Sequence, residues 1–217
     1  MASFEIIDHE GQRFVRIRIE DETVHAESGA LSHMIGDIRM TARLPSLLTA
    51  IKASISDEAA VRPAYAGTGE IFLEPSSGGF HVFEVAGESW VLENGVYWAS
   101  EASVELGLFR ERMMTAFWAG EGFIDYQTLV SGRGTVVVNA PGPVEELAID
   151  GQRVVVEGRR VIARTRGLDY RVRRPAGSIW GSWLSGESAV RVFEGTGKVL
   201  MAPYPYWNER LMQAVRG

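Results

Sequence analysis

The sequence contains no cysteine. That single absence excludes disulfides, thiolate nucleophiles and Cys-rich metal sites, and a reducing cytoplasm is the expected compartment. No apolar run approaches the roughly 18 residues of a membrane-spanning helix. Residues 1–10 carry Glu5, Asp8 and Glu10 but no basic residue, so no secretory leader is expected. Histidine is scarce: of His9, His25, His33 and His81, no two are closer than the eight residues separating His25 from His33. The closely spaced histidine pair of a β-helix metalloenzyme is missing, although His25, His33 and Asp37 form a conceivable ligand set because metal ligands need not be close in sequence. No Gly-x-Ser-x-Gly elbow presents a nucleophilic serine. The expectation is therefore a non-enzymatic protein without cofactor or metal.

What remains is ordinary for a globular chain: 217 residues, 46% apolar and 23% charged. The net charge of −6 is unevenly placed. Residues 1–143 hold 10 Lys and Arg against 20 Asp and Glu, a net of −10, whereas residues 144–217 hold 12 against 8, a net of +4. The last third has a different electrostatic task from the first two.

One pattern organises the chain. Gly67-Thr68-Gly69, Gly132-Arg133-Gly134 and Gly195-Thr196-Gly197 each lead into an apolar strand, at spacings of 65 and 63 residues. Recurrence at such a period indicates copies of one supersecondary unit. Around these motifs the pattern is that of strands. Residues 14–19 alternate apolar and polar, the period-2 mark of a half-buried strand. Glu20-Asp21-Glu22 reads as a turn, and Gly36-Asp37 as another. Residues 87–95 align with residues 21–29, and residues 151–158 stand at the same place, putting Glu27, Glu93 and Glu157 at corresponding strand ends. Residues 46–55 read as a short amphipathic helix with Ser46 as N-cap, with counterparts at 109–119 and 179–184. A C-terminal helix is expected from Asn208, with Leu211, Met212 and Val215 on one face. The expected fold is all-β, in three tightly packed repeats at residues 1–77, 78–143 and 144–217.

These residues resemble a known family. The Glu27-Ser28-Gly29-Ala30 and Glu93-Asn94-Gly95-Val96 turns, Gly120-Glu121-Gly122 with Gly186-Glu187-Ser188, and the three Gly-x-Gly strands together are similar to bacterial relatives of the altered-inheritance-of-mitochondria biogenesis protein. The family has no assigned biochemical function. The resemblance implies a short double-stranded β-helix like that of the trp RNA-binding attenuation protein. It further implies three chains closing a ring of nine domains, and it brings no catalytic residues. The chain departs from the pattern at Arg159-Arg160, in place of small residues at the third turn, and in inserts poorer in glycine.

Several residues invite a chemical reading. Gly195-Thr196-Gly197-Lys198 suggests a phosphate loop, but Val192 and Val199 stand where that motif needs a glycine and a hydroxyl. A turn between paired strands accounts for all three copies. Glu121 and Glu187 recur with the repeat and sit a whole unit apart, which suits a turn better than acid–base chemistry. Phe117, Trp118, Trp180 and Trp183 fall in corresponding inserts and are candidate interface, partner or membrane contacts. Arg164 with Arg166, and Arg171 with Arg173, alternate on two strands whose connection would set them side by side. They are expected at a subunit interface, with an anionic surface as the other reading. Nucleic acid is not an expected partner, because residues 78–143 hold only Arg110, Arg112 and Arg133 against eight acids, and an RNA-binding ring needs a cation in every unit.

The expectation is a homotrimeric ring that acts as an assembly scaffold, presenting surfaces to a protein partner or a membrane. The family resemblance adds membrane organisation as a setting. The alternative is a small-ligand-binding module with pockets between adjacent repeats.

Overall fold

A computed structural model describes residues 1–42, 62–76, 78–110, 126–173, 190–207 and Leu211. Among the described residues fifteen strands run in chain order, all paired antiparallel. The first segment contains β1 (Ser3–His9), β2 (Gln12–Ala26), β3 (Leu31–Thr41) and β4 (Ala64–Leu73). The second contains β5 (Phe80–Ala86), β6 (Trp90–Leu92), β7 (Tyr97–Glu101), β8 (Val104–Arg110) and β9 (Tyr126–Asn139). The third contains β10 (Glu145–Asp150), β11 (Val154–Glu157), β12 (Val161–Thr165), β13 (Asp169–Arg173), β14 (Val190–Glu194) and β15 (Thr196–Met201). The described residues form no α-helical element. The expected helix at 46–55, its counterparts at 109–119 and 179–184, and the tail from Asn208 lie outside them, apart from residues 109–110 and Leu211. No helix among the described residues is long and apolar enough to cross a membrane.

The alternating residues behave as their period demands. Val15, Ile17 and Ile19 point inward and are buried, while Arg16 and Arg18, one position out of phase, bind Glu5 and Glu70 on neighbouring strands. Two expected turns are not turns. β2 passes through Glu20-Asp21-Glu22 with only a register shift, Asp21 taking a positive φ of 55°. β3 likewise runs unbroken through Gly36-Asp37. Continuous pairing with β4 keeps both strands extended where local composition alone favours reversal.

The Gly-x-Gly motifs are not turns between paired strands either. In β4 and β9 they are kinks inside one long strand, and Gly195 separates β14 from β15. Before the kink, β4 pairs with the C-terminal halves of β2 and β3. Beyond it, β4 pairs with their N-terminal halves. The same change of partners occurs along β9, from β6 and β8 to β5 and β7. It occurs again between β14, bonded to β11 and β13, and β15, bonded to β10 and β12. Glycine is required because the crossing backbones touch. A Cβ on Gly67 would lie 2.0 Å from the Asp37 carbonyl oxygen, at a φ of +136° that side chains avoid.

Segments are joined by strand pairing. The C-terminal half of β2 bonds to β7, and β6 bonds to β12. Each junction therefore fuses three strands of one segment to three of the next, giving the runs β5-β9-β7-β2-β4-β3 and β10-β15-β12-β6-β9-β8. The core follows the same rule. Val15, Ile17, Tyr65 and Ile71 of the first segment pack with Phe80, Ala99 and Val137 of the second. Trp90, Leu92 and Val130 of the second pack with Ile162, Ala163 and Leu200 of the third. The remaining cluster, Ile149, Val156, Val161, Leu168, Phe193 and Val199, comes from the third segment alone.

Replacing Gly67 by alanine should destabilise the fold by about 2 kcal/mol or more, from backbone strain plus the clash with Asp37. Gly29→Ala, where φ is also positive but no atom lies within 4 Å of the added Cβ, should cost about half as much. Urea denaturation followed by circular dichroism compares the two; equal losses would mean that the close crossing is not what demands glycine at Gly67.

Candidate functional site

The chemistry-bearing side chains of this chain gather at the junctions between segments. At the first junction Arg62 donates to Thr128 Oγ1 at 2.8 Å and to Glu27 Oε2 at 3.4 Å, and its guanidinium lies 4.7 Å from the centre of the Tyr97 ring. Tyr97 is buried, which pushes its hydroxyl well above the ordinary tyrosine range, and it hydrogen-bonds Ser100 Oγ at 3.0 Å. At the second junction Arg191 grips Glu93 with both terminal nitrogens, the Nη2 to Oε2 bond being 2.8 Å. The same guanidinium lies 5.7 Å from the Tyr170 ring. The third glutamate of the series, Glu157, is bound within its own turn by Arg160 at 2.9 Å. Arg159-Arg160 thus builds a 3₁₀ turn, Gly158–Arg160, that the small residues of the other copies do not form.

Sequence reasoning found the three glutamates but neither Arg62 nor Arg191. Both partners lie far along the chain, 35 and 98 residues away, and only the strand pairing brings them in. An arginine fork on a half-buried carboxylate is a strong, oriented contact. It ties the second segment to the third.

The four arginines expected together are divided. β12 and β13 belong to different sheets and are not hydrogen-bonded neighbours. Arg164 is 3% exposed, its guanidinium 5.4 Å from the Phe109 ring and 5.0 Å from the Tyr170 ring. It is a cation inside the second junction, where aromatic faces compensate part of the lost hydration. Arg166 is exposed and reaches the same Phe109 at 5.9 Å. Arg171 is exposed on β13, and Arg173 ends that strand. Phe117, Trp118, Trp180 and Trp183, with Glu121 and Glu187, lie outside the described residues. Of the aromatics near the C-terminus, Tyr204 and Trp207 are exposed, while Tyr206 stacks under Arg13 at 3.8 Å.

Two open pockets occupy corresponding places. One lies at the second junction between Glu88, Ser89, Arg166 and Lys198, with a volume of about 760 Å³. The other lies at the first junction between Glu22, Glu84, Glu101 and Arg133, with about 460 Å³, and Met1 enters it to bind Glu22 through its amino group. Among the described residues no group of three His, Asp or Glu converges as a metal site; His33 instead stacks on Phe72, ring centres 4.4 Å apart.

Removing one partner of the Arg191–Glu93 pair leaves a half-buried charge alone. Arg191→Ala and Glu93→Ala should each cost about 2–4 kcal/mol, and the double variant clearly less than their sum. A double-mutant cycle by chemical denaturation measures this; additive losses would show that the pair contributes no coupling between the segments.

Comparison with known proteins agrees with this architecture. A solved X-ray structure of a Streptococcus pyogenes protein superposes with a TM-score of 0.74, over 100% of this chain and 99% of that one, at 21% identity; that likeness concerns the fold. An uncharacterised protein of Streptococcus pyogenes serotype M6 is 27% identical over 134 residues. That match covers 61% of this chain, which thus spans about half, 53%, of that relative. The model of the mitochondrial biogenesis AIM24 family matches residues 4–204, nearly the whole length, and the chain belongs to that family.

Proposed function

We propose that this protein is a non-enzymatic scaffold whose three double-stranded β units join head to tail with those of other copies, three chains closing a ring of nine units. The observation that carries the reading is that the chain ends in two halves of the same junction. Among the described residues the N-terminal half of β3 is bonded only to β4, although its counterparts β7 and β12 are each bonded on both sides. At the other end β11 is bonded, among the described residues, only to β14, although its counterparts in β2 and β6 are each bonded on both sides. One edge lacks what the other supplies.

The unpaired edges are also apolar where a soluble edge strand is ordinarily guarded by charge. Ile35 is 58% exposed, Met34 40% and Val155 51%. By the register of the two internal junctions, Val155 of one copy would stand opposite Met34 of the next, Val156 opposite His33, and Val154 opposite Ile35. The residues occupying the His33 position at the internal junctions, Ala99 and Ala163, are fully buried in the core of the preceding segment. Phe14 and Phe72, with ring centres 6.4 Å apart, occupy the positions of Phe80 and Val137. They would extend the third-segment core, which among the described residues is built from that segment alone. Charge favours the same contact, because the first two segments are acidic and the third is basic.

A heterologous contact of this kind either closes into a ring or propagates as a filament. Closure leaves no free edge and presents the outer surface to a protein partner or a membrane. Multi-angle light scattering at micromolar concentration should give three times the chain mass. Val155→Asp and Ile35→Asp should each weaken association by roughly a hundredfold, the cost of about 3 kcal/mol for burying a lone carboxylate at the joint, with the β circular dichroism intact. A monomeric wild-type chain, or a trimer indifferent to both substitutions, would overturn the reading.

A further inference from the structure

We propose that the open pocket at the second junction binds a small metabolite through an anionic head group, carboxylate or phosphate, held by Arg166 and Lys198. The pocket lies within one chain and does not depend on ring assembly.

The inference comes from comparing the two pockets position by position. Glu88 stands where Glu22 stands, and Gly197 where Gly134 stands. Around that shared frame the charge is exchanged. Thr165 replaces Glu101, Lys198 replaces Thr135, and Arg166 replaces Ala102, while the residue at the place of Glu84 is Ala148. The first pocket is acidic and takes an amino group from the chain itself, Met1 on Glu22. The second is basic and larger, and no segment of the described chain enters it. A site of opposite charge at corresponding positions calls for the opposite kind of ligand.

Both cations are carried on fixed backbone. The Arg166 N–H donates to the Ser89 carbonyl at 2.8 Å, and the Lys198 N–H donates to Thr165 Oγ1 at 3.0 Å. The wall between them is bare backbone, because a Cβ on Gly197 would fall 2.2 Å from that same hydroxyl oxygen. Arg166 has no carboxylate partner among the described residues, so its planar fork is available for two-point capture of a carboxylate or phosphate. Lys198 pairs with Glu146 at 3.0 Å, with both side chains nearly half exposed. Such a surface pair is weak, and the ammonium can turn from Glu146 to a ligand. Glu88 faces the cations. Burial works against its charge, but hydrogen bonds from backbone N–H groups, including that of Ala86, and from Trp90 Nε1, with the nearby Lys198, keep it ionised below the ordinary glutamate range. It therefore limits the pocket to a head group of low charge and offers an acceptor to a donor elsewhere on the ligand.

Isothermal titration of the full chain with inorganic phosphate, acetate and succinate, each taken to roughly 10 mM, tests this; a bare head group is expected to bind with a Kd of about 1 mM. Saturable binding of at least one probe is expected. Arg166→Ala and Lys198→Ala should each weaken it roughly tenfold, with Arg166→Lys intermediate, and Arg133→Ala in the first pocket should leave it unchanged. Phosphate alone or a carboxylate alone would identify the head group. Absence of saturation with every probe, or binding undiminished in Arg166→Ala, would overturn the proposal.

Discussion

A β-strand edge carries a row of unpaired N–H and C=O groups, and the architecture of this protein depends on where those rows are satisfied. Within each segment two pairs of strands flank one long kinked strand or its divided equivalent. Between segments, the C-terminal half of β2 bonds to β7 and β6 bonds to β12. The hydrophobic core obeys the same constraint, because the strands that cross a junction bring the side chains that cover the neighbouring interior. Edge pairing and core completion are therefore one event. The two junctions inside the chain join two of the three cores to side chains of the next segment, while the third is built, among the described residues, from its own segment.

Electrostatics is layered onto this frame rather than responsible for it. The glutamates closing the turn after each short strand are fastened by arginines that differ in origin: Arg62 from just before β4, Arg191 from the following segment, and Arg160 from the adjacent turn. Backbone pairing sets the positions of these glutamates, and the arginine that meets each one differs. The two junction pockets illustrate the same freedom, sharing a glycine wall and a glutamate while carrying opposite net charge.

Much of the fold was legible in the sequence because its signals are local. Alternation at residues 14–19 and the Gly29 and Gly95 turns with φ of 78° and 69° each reflect a constraint within a few residues. Misreadings arose where tertiary pairing outweighed local composition. Glu20-Asp21-Glu22 and Gly36-Asp37 have the composition of turns but are held extended by β4. The Gly-x-Gly motifs were recognisable as a repeat, yet their purpose, letting two backbones cross at a distance a Cβ forbids, is a property of contacts remote in sequence.

By itself the sequence determined that strands would dominate and that cysteine chemistry was excluded. These follow from composition and short-range periodicity, which the chain carries whatever its surroundings. Only the tertiary structure decided that Arg164 is buried between Phe109 and Tyr170 while Arg166 two residues later is exposed at a pocket. It alone parted Arg164 and Arg166 from Arg171 by assigning β12 and β13 to different sheets, and brought Arg191 to Glu93 across 98 residues. The physical reason is that strand pairing partners are chosen by long-range fit of edges and faces, and sequence spacing carries no record of that choice.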